Sequence, residues 1–163
     1  PPAITDISKA VEIIVHPAII NNNIGNPETF CLTGTPDTLE QAGVDIIVPS
    51  TKYLFYSWQD STNSTLQWNN ITGFVNTKDS VYLPAVLNAT TSYRRIVSSA
   101  SCIDTSKGVT MTILPIITGN SIKSRAPAED SICFGMQFQE LISANTLGGG
   151  DNSYIYKYVN YYI

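Results

Sequence analysis

The sequence predicts an all-β chain, an antiparallel β-sandwich built as tandem repeats with partial units at both ends. Three observations lead there. Short apolar runs alternate with Gly, Pro, Asn and Asp every ~10–15 residues, the rhythm of antiparallel strands and turns. Charged residues make up 13% of the 163 residues, about half of the ~25% usual in soluble domains, so Thr, Ser and Asn carry the polar surface. And the chain repeats itself out of phase. Ser8, Lys9, Val11, Pro17, Asn22 and Ile24 recur as Ser106, Lys107, Val109, Pro115, Asn120 and Ile122, an offset of 98. Cys31 recurs as Cys133 (offset 102), and Tyr56 and Trp58 recur as Tyr156 and Tyr158 (offset 100). The repeat divides the chain into a terminal strand of a preceding unit at residues 1–16, a complete unit at 17–116 and the first half of a following unit at 117–163.

The elements follow in order. Residues 10–15 are rich in Val and Ile and stop before Pro17. Asn21, Asn22 and Asn23 mark the linker or first turn. Residues 29–32 form a strand around Cys31. Residues 45–48 are a short apolar run ended by Pro49, which has no N–H to give a ladder. Residues 53–59 alternate, with Tyr56 and Trp58 on one face. Residues 66–71 carry Trp68, and 81–83 run into Pro84. Residues 92–99 place Tyr93, Arg95 and Val97 on one face and Arg94 and Ile96 on the other. Residues 109–114 stop at Pro115. Residues 131–134 and 154–159 begin the set again, with the loop 148–150 (three glycines) between them. The helical candidates are short: 38–41, 84–87 and 138–141. The expected core is Trp58 and Tyr56 on a central strand with Tyr93 on a late one, the packing of an immunoglobulin-like sandwich.

The three cysteines fit the repeat. Cys31 lies early in the complete unit and Cys102 near its end, so a Cys31–Cys102 disulfide is expected. Cys133, the equivalent of Cys31, would then pair with a residue beyond the chain end. The alternative is three buried free thiols. Closing the 31–102 loop would add roughly 4 kcal/mol in the chain-entropy model.

Function classes narrow by exclusion. A net charge of −4 gives no basic face for nucleic acid. No segment reaches the ~20 apolar residues of a membrane helix, so membrane insertion is not expected. The single histidine, His16, stands beside Pro17 without a second histidine, and reads as a linker residue. Nucleophile elbows, phosphate loops and paired-cysteine zinc motifs are absent, so no catalytic residue and no cofactor are expected. Asp37, Asp45, Asp60, Asp79, Asp104 and Asp151 are scattered over loops. Structural calcium needs about 6–8 converging oxygens, and no D-x-D-x-D run supplies them; solvated turn aspartates are the simpler reading. Arg94 and Arg95 read as braced against Trp58, Trp68 or a carboxylate, with a carbohydrate contact as the functional alternative.

Four stretches in order, Tyr56-Ser-Trp58-Gln-Asp-Ser61, Trp68-Asn-Asn-Ile71-Thr-Gly73, Tyr82-Leu-Pro84 and Thr90-Thr-Ser-Tyr93-Arg94-Arg95-Ile-Val97, are followed by Cys102 and Ser106-Lys-Gly-Val109. The set resembles the Ig-like, PKD-like tandem repeats of giant gliding-motility surface adhesins of Bacteroidetes-type bacteria, which leave the cell by type IX secretion. It departs from that pattern at Ser92, Lys107 and Tyr158. The resemblance implies a structural repeat of a long extracellular adhesin or filament at the bacterial cell surface, spacing adhesive regions for attachment or gliding. Its expected partners are neighbouring repeats of the same chain, surface polysaccharide and the secretion or motility machinery. It also implies O-linked glycan at Asp-Ser/Thr-apolar motifs, which Thr38, Ser61, Ser80 and Ser131 fit. The alternatives are a glycan- or protein-binding Ig-like module and a fibre subunit assembled by strand exchange.

Overall fold

The computed structural model describes residues 3, 6–62, 67–125, 133–137 and 140–159. Among them the chain is all-β, without a helix, in eight strands. These are β1 (Glu28–Cys31), β2 (Leu54–Thr62), β3 (Asn69–Asn70), β4 (Thr91–Ser99), β5 (Cys102–Thr105), β6 (Val109–Leu114), β7 (Ile122–Ser124) and β8 (Leu141–Ser143). Six form one mixed sheet in the order β1-β6-β4-β2-β3, with β5 also paired to β4. β1 runs parallel to β6, and the other pairs are antiparallel. β7 and β8 form a separate antiparallel pair.

The centre is the β2–β4 pair, nine residues against nine from Leu54↔Ser99 to Thr62↔Thr91. Period-two alternation sets its faces. Every odd residue of β4, from Thr91 to Ser99, is buried, and Tyr56 and Trp58 of β2 lie opposite Val97 and Arg95. β5 and β6 act as one strand along the far edge of β4. Thr105 pairs with Ile96 and Val109 with Tyr93, so three residues, 106–108, stand opposite two, 94 and 95. This is a β-bulge with one extra residue. Ser106 pins it: its N–H donates to the Arg95 carbonyl, and its Oγ accepts the Arg95 N–H at 2.9 Å.

Extended chain covers the buried face, held by single bridges: Ile20↔Ile47, Ile24↔Gln41, Leu39↔Tyr82 and Gly34↔Leu87. Two apolar clusters lie between these segments and the sheet. One gathers Ile24, Leu39, Trp58, Tyr93 and Met111; the other gathers Ile19, Tyr56 and Val97, with Cys102 against it.

Six expectations are corrected. Residues 38–41 and 84–87 are extended, because Leu39 and Leu87 each give both backbone groups to a bridge. In 138–141, Leu141 opens β8 and residues 138–139 lie outside the described set. Residues 10–15 form no strand and are exposed, as are 155–159. Cys31 and Cys102 are both free thiols. Cys31 pairs with Leu114, past the Thr91 end of β4, whereas Cys102 pairs with Ser99 at the other end. At ~3.3 Å per residue the two lie on the order of 30 Å apart along the sheet, far beyond the ~7 Å that a disulfide spans. They also face opposite sides, since Cys31 is exposed while Cys102 touches the second cluster.

Candidate functional site: a buried arginine hub and an open hairpin

Arg95 occupies the middle of the buried face, between the two apolar clusters, and is 1% exposed. Four hydrogen bonds hold its guanidinium. Nε donates to Asn22 Oδ1 (3.0 Å), Nη1 to the Ser80 carbonyl (3.0 Å), and Nη2 to the Asn23 carbonyl (3.3 Å) and Gln41 Oε1 (2.5 Å). The rings of Tyr56 and Trp58 flank it at 5.5 and 5.7 Å. No carboxylate neutralises it among the described residues, where the one ion pair joins Arg125 to Glu140. Burial pushes the Arg95 pKa down from its ordinary value, and the nearby Tyr56 works weakly the other way. A buried cation is tolerated only when its donors are satisfied. Here neutral oxygens from three distant segments do so, tying covering chain to sheet. Asn22, itself buried, returns its Nδ2 towards the carbonyls of Arg95 and Asp104.

The rest of the site residues fall around this hub. Trp58, Tyr56 and Tyr93 are buried. Tyr82 joins them, its ring 5.8 Å from that of Trp58 and 5.6 Å from that of Tyr93. Burial raises the Tyr82 and Tyr93 hydroxyl pKa values above 10.0, the charge of Asp60 adds to both, and Tyr82 adds to Tyr93. The Trp58 indole N–H is buried without a hydrogen-bond partner among the described residues. On the outer face Arg94 lies 4.3 Å over the Trp68 ring and donates to Gln59 Oε1, while Gln59 donates to Asn70 Oδ1. One face of that tryptophan is therefore already covered by the protein's own arginine.

Ser61 is buried and closed to a glycan in the folded chain, a correction to its reading as an attachment point. The reason is its register: it follows Asp60 into the body of β2, opposite Ser92. Thr38 is exposed, Ser80 is half-buried with its carbonyl on Arg95, and Ser131 lies outside the described residues. Cys133 and His16 are exposed. The aspartates stay apart: Asp79 accepts from Thr77, Asp151 from the Ser153 N–H, and Asp104 sits in β5. No three His, Cys, Asp or Glu side chains gather to hold a metal among the described residues, and no helix there is long and apolar enough to cross a membrane.

The second feature is the pairing of β7 with β8. In the complete unit Ile24 bridges Gln41, the Ala42 N–H donates to the Asn23 carbonyl, and the Asn23 N–H donates to the Asn21 carbonyl. Shifted by 98 and 102, the same bonds recur. Ile122 pairs with Ser143, the Ala144 N–H donates to the Ser121 carbonyl, and the Ser121 N–H donates to the Gly119 carbonyl. Asn21 and Gly119 both hold the left-handed backbone, at φ 62 and 74, which Asn and Gly tolerate best. The two copies differ in cover. Ile19, Ile24, Leu39, Tyr56 and Trp58 are at most 7% exposed, whereas Ile117, Ile122, Leu141, Tyr156 and Tyr158 are 51–73% exposed. The uncovered residues line a groove of about 530 Å³ that runs along β7, β8 and residues 153–159.

The partners of Arg95 were missed in the sequence. Gln41 and Ser80 carried no signal, but Asn22 did, through its recurrence as Asn120. Residues 20–115, more than half of the 163, match the family described as "Domain of unknown function (DUF8696)". The chain belongs to that family. No curated protein and no solved structure matches the chain.

Proposed function

We propose that the chain is a structural repeat of a long extracellular cell-surface adhesin or filament, with residues 17–116 as one immunoglobulin-like sandwich in a tandem array. The observation that carries the reading is the recurrence of the covering hairpin, hydrogen bond for hydrogen bond, one repeat length further on. A second observation supports it: the polar network around Arg95 is buried and ties the covering chain to the sheet. In this reading the chain performs no catalysis. It spaces and presents adhesive regions, with neighbouring repeats as its contacts and polysaccharide or export machinery at the ends of the array. Thr38 is the exposed candidate for O-glycan. A glycan-binding module would need an uncovered aromatic platform; Arg94 covers one face of Trp68, whereas Tyr156 and Tyr158 stand exposed along the open groove and keep that second reading in play.

Antibodies raised against the folded chain test the proposal on intact, unpermeabilised cells. Surface labelling of filaments, with a denatured polypeptide far larger than 17.8 kDa, is the expected result. Labelling that requires permeabilisation would overturn it.

A further inference from the structure

We propose that residues 146–150 clasp residues 115–119 and so fix the joint that follows the complete unit. The proposal rests on the repeat part of the reading above and is independent of its adhesive part. The joint begins at once: β6 ends at Leu114, and Thr118 already pairs with Gly148. Between them Pro115, Ile116 and Ile117 are exposed, the two isoleucines at 60% and 51%. Buried side chains therefore do little to hold the connection. Backbone hydrogen bonds hold it instead. The Thr118 N–H donates to the Gly148 carbonyl at 2.8 Å, the Gly148 N–H donates to the Thr118 carbonyl at 3.1 Å, and the Gly150 N–H donates to the Pro115 carbonyl at 2.8 Å. The Tyr154 hydroxyl donates to the Gly149 carbonyl at 2.9 Å, which ties the loop to the chain that follows it.

Glycine makes the close approach possible. Gly149 holds φ 84, and a Cβ there would strike the Ile116 carbonyl. Gly119, at φ 74, meets the Thr146 carbonyl in the same way. Both obstacles are backbone atoms, which cannot swing aside as a flexible side chain can. The left-handed φ by itself already disfavours a residue with a Cβ. The complete unit has the matching bridge, Ile20 with Ile47, but there the neighbouring Ile46 and Val48 pack on the second apolar cluster. Around the later bridge stand Gly148, Gly149 and Gly150, which give up side-chain packing for backbone contact. Three residues separate β6 from that bridge, so a held loop carries the direction of β6 into the next unit. An unheld loop would leave those three residues free to swivel.

Amide hydrogen exchange and backbone nitrogen relaxation of the whole chain, both read by NMR, test this. In the wild-type chain the Thr118, Gly148 and Gly150 amides should exchange slowly, and β2 and β4 should tumble with the same correlation time as β7 and β8. Gly149→Ala should speed exchange at Thr118 and Gly150 by roughly tenfold or more and split the two tumbling times, while β2 and β4 keep their protection. Gly43→Ala is the control. Its φ is 74 and nothing lies within 4 Å of a Cβ built there, so it adds backbone strain away from the joint and should leave these amides unchanged. The same loss in the control would mark general destabilisation and overturn the proposal. Fast exchange at Thr118 and Gly150 in the wild-type chain, or two tumbling times there, would overturn it whether or not the variants fold. So would a Gly149→Ala chain that keeps slow exchange and a single tumbling time. Each failure leaves the surface-labelling result above untouched, and a failure there leaves the clasp standing.

Discussion

Replacing Arg95 by Met tests whether the buried cation holds the unit together. The substitution keeps most of the side-chain volume and removes four hydrogen bonds. Asn22 Oδ1 is left buried without a donor, and two carbonyls and Gln41 Oε1 are left part-buried. An unmet buried acceptor costs ~1–3 kcal/mol. The part-buried ones cost less, because water reaches them, and the lifted desolvation of the cation offsets some of the total. The expected loss is about 3–5 kcal/mol, the range for breaking one side of a buried polar pairing. For a domain near 100 residues that lowers Tm by roughly 15–30 °C. Urea unfolding followed by tryptophan fluorescence reads it directly, since Trp58 lies against the guanidinium. Arg95→Lys should recover little, because one ammonium cannot reach acceptors set for a planar fork. The double variant with Asn22→Ala should be less unstable than the sum of the two single changes. A Met variant within ~1 kcal/mol of wild type would show that packing alone fixes the covering chain and that the network is incidental.

Other consequences are as direct. Trp58→Ala should cost about 3–5 kcal/mol, whereas Trp58→Phe should cost only about 1–2 kcal/mol, because it also removes the unpaired buried N–H; equal losses in urea titrations would contradict this. All three cysteines should titrate with a thiol reagent after denaturation without reductant, Cys31 and Cys133 fast in the folded chain and Cys102 slowly; a single reactive thiol would restore the disulfide. Tyr82 and Tyr93 have folded pKa values above the 10.0 of the unfolded chain. Above pH 10 the unfolded chain therefore binds fewer protons than the folded one. Stability is whole below that point and falls as pH rises, by up to ~1.4 kcal/mol per pH unit for each group. Urea midpoints measured from pH 9 upward check the sign, and Tyr93→Phe should flatten the fall. Leu32 is exposed and holds a φ of 66, so Leu32→Gly should stabilise the unit by about 0.5–1 kcal/mol in thermal unfolding.

The long central strands were legible because their alternation is strong. Residues 53–59, 92–99 and 109–114 became β2, β4 and β6 within a few residues of their expected bounds. Weak signals misled. Four-residue runs such as 38–41 and 84–87 are too short to nucleate a helix in isolation, and distant bridge partners decided their conformation. β5 went unread because Ile103 is its one strongly apolar residue besides a cysteine, and Asp104 interrupts it. The disulfide failed for a different reason: position along the chain says nothing about which end of a sheet a cysteine occupies. The expectation for Arg94 and Arg95 leaves open Trp58, Trp68 or a carboxylate; the structure sets Arg94 over Trp68 and Arg95 beside Trp58. The oxygen partners of Arg95 come from residues 22–23, 41 and 80, and no local pattern announces an acceptor supplied from so far away.

The recurrence at β7 and β8 bears on how the unit forms. The copy at 117–148 reaches the pairing of its counterpart although the apolar side chains that the counterpart buries stand uncovered here. Its geometry therefore comes from its own sequence, through the left-handed Gly119, the local bond from the Ser121 N–H to the Gly119 carbonyl and the cross-hairpin bond from the Ala144 N–H to the Ser121 carbonyl. The covering hairpin is locally specified, whereas the sheet is held by long-range pairs such as Trp58↔Arg95. Local pairing carries the smaller loop-closure cost, so the hairpin should form before the sheet closes over it. Arg95 then acts as a check on register. Its guanidinium meets all four acceptors only when β4 lies against the hairpin in a single alignment, and a slip of one residue would carry the charge to the outer face. An apolar side chain at that place would tolerate sliding; a buried cation with fixed partners does not.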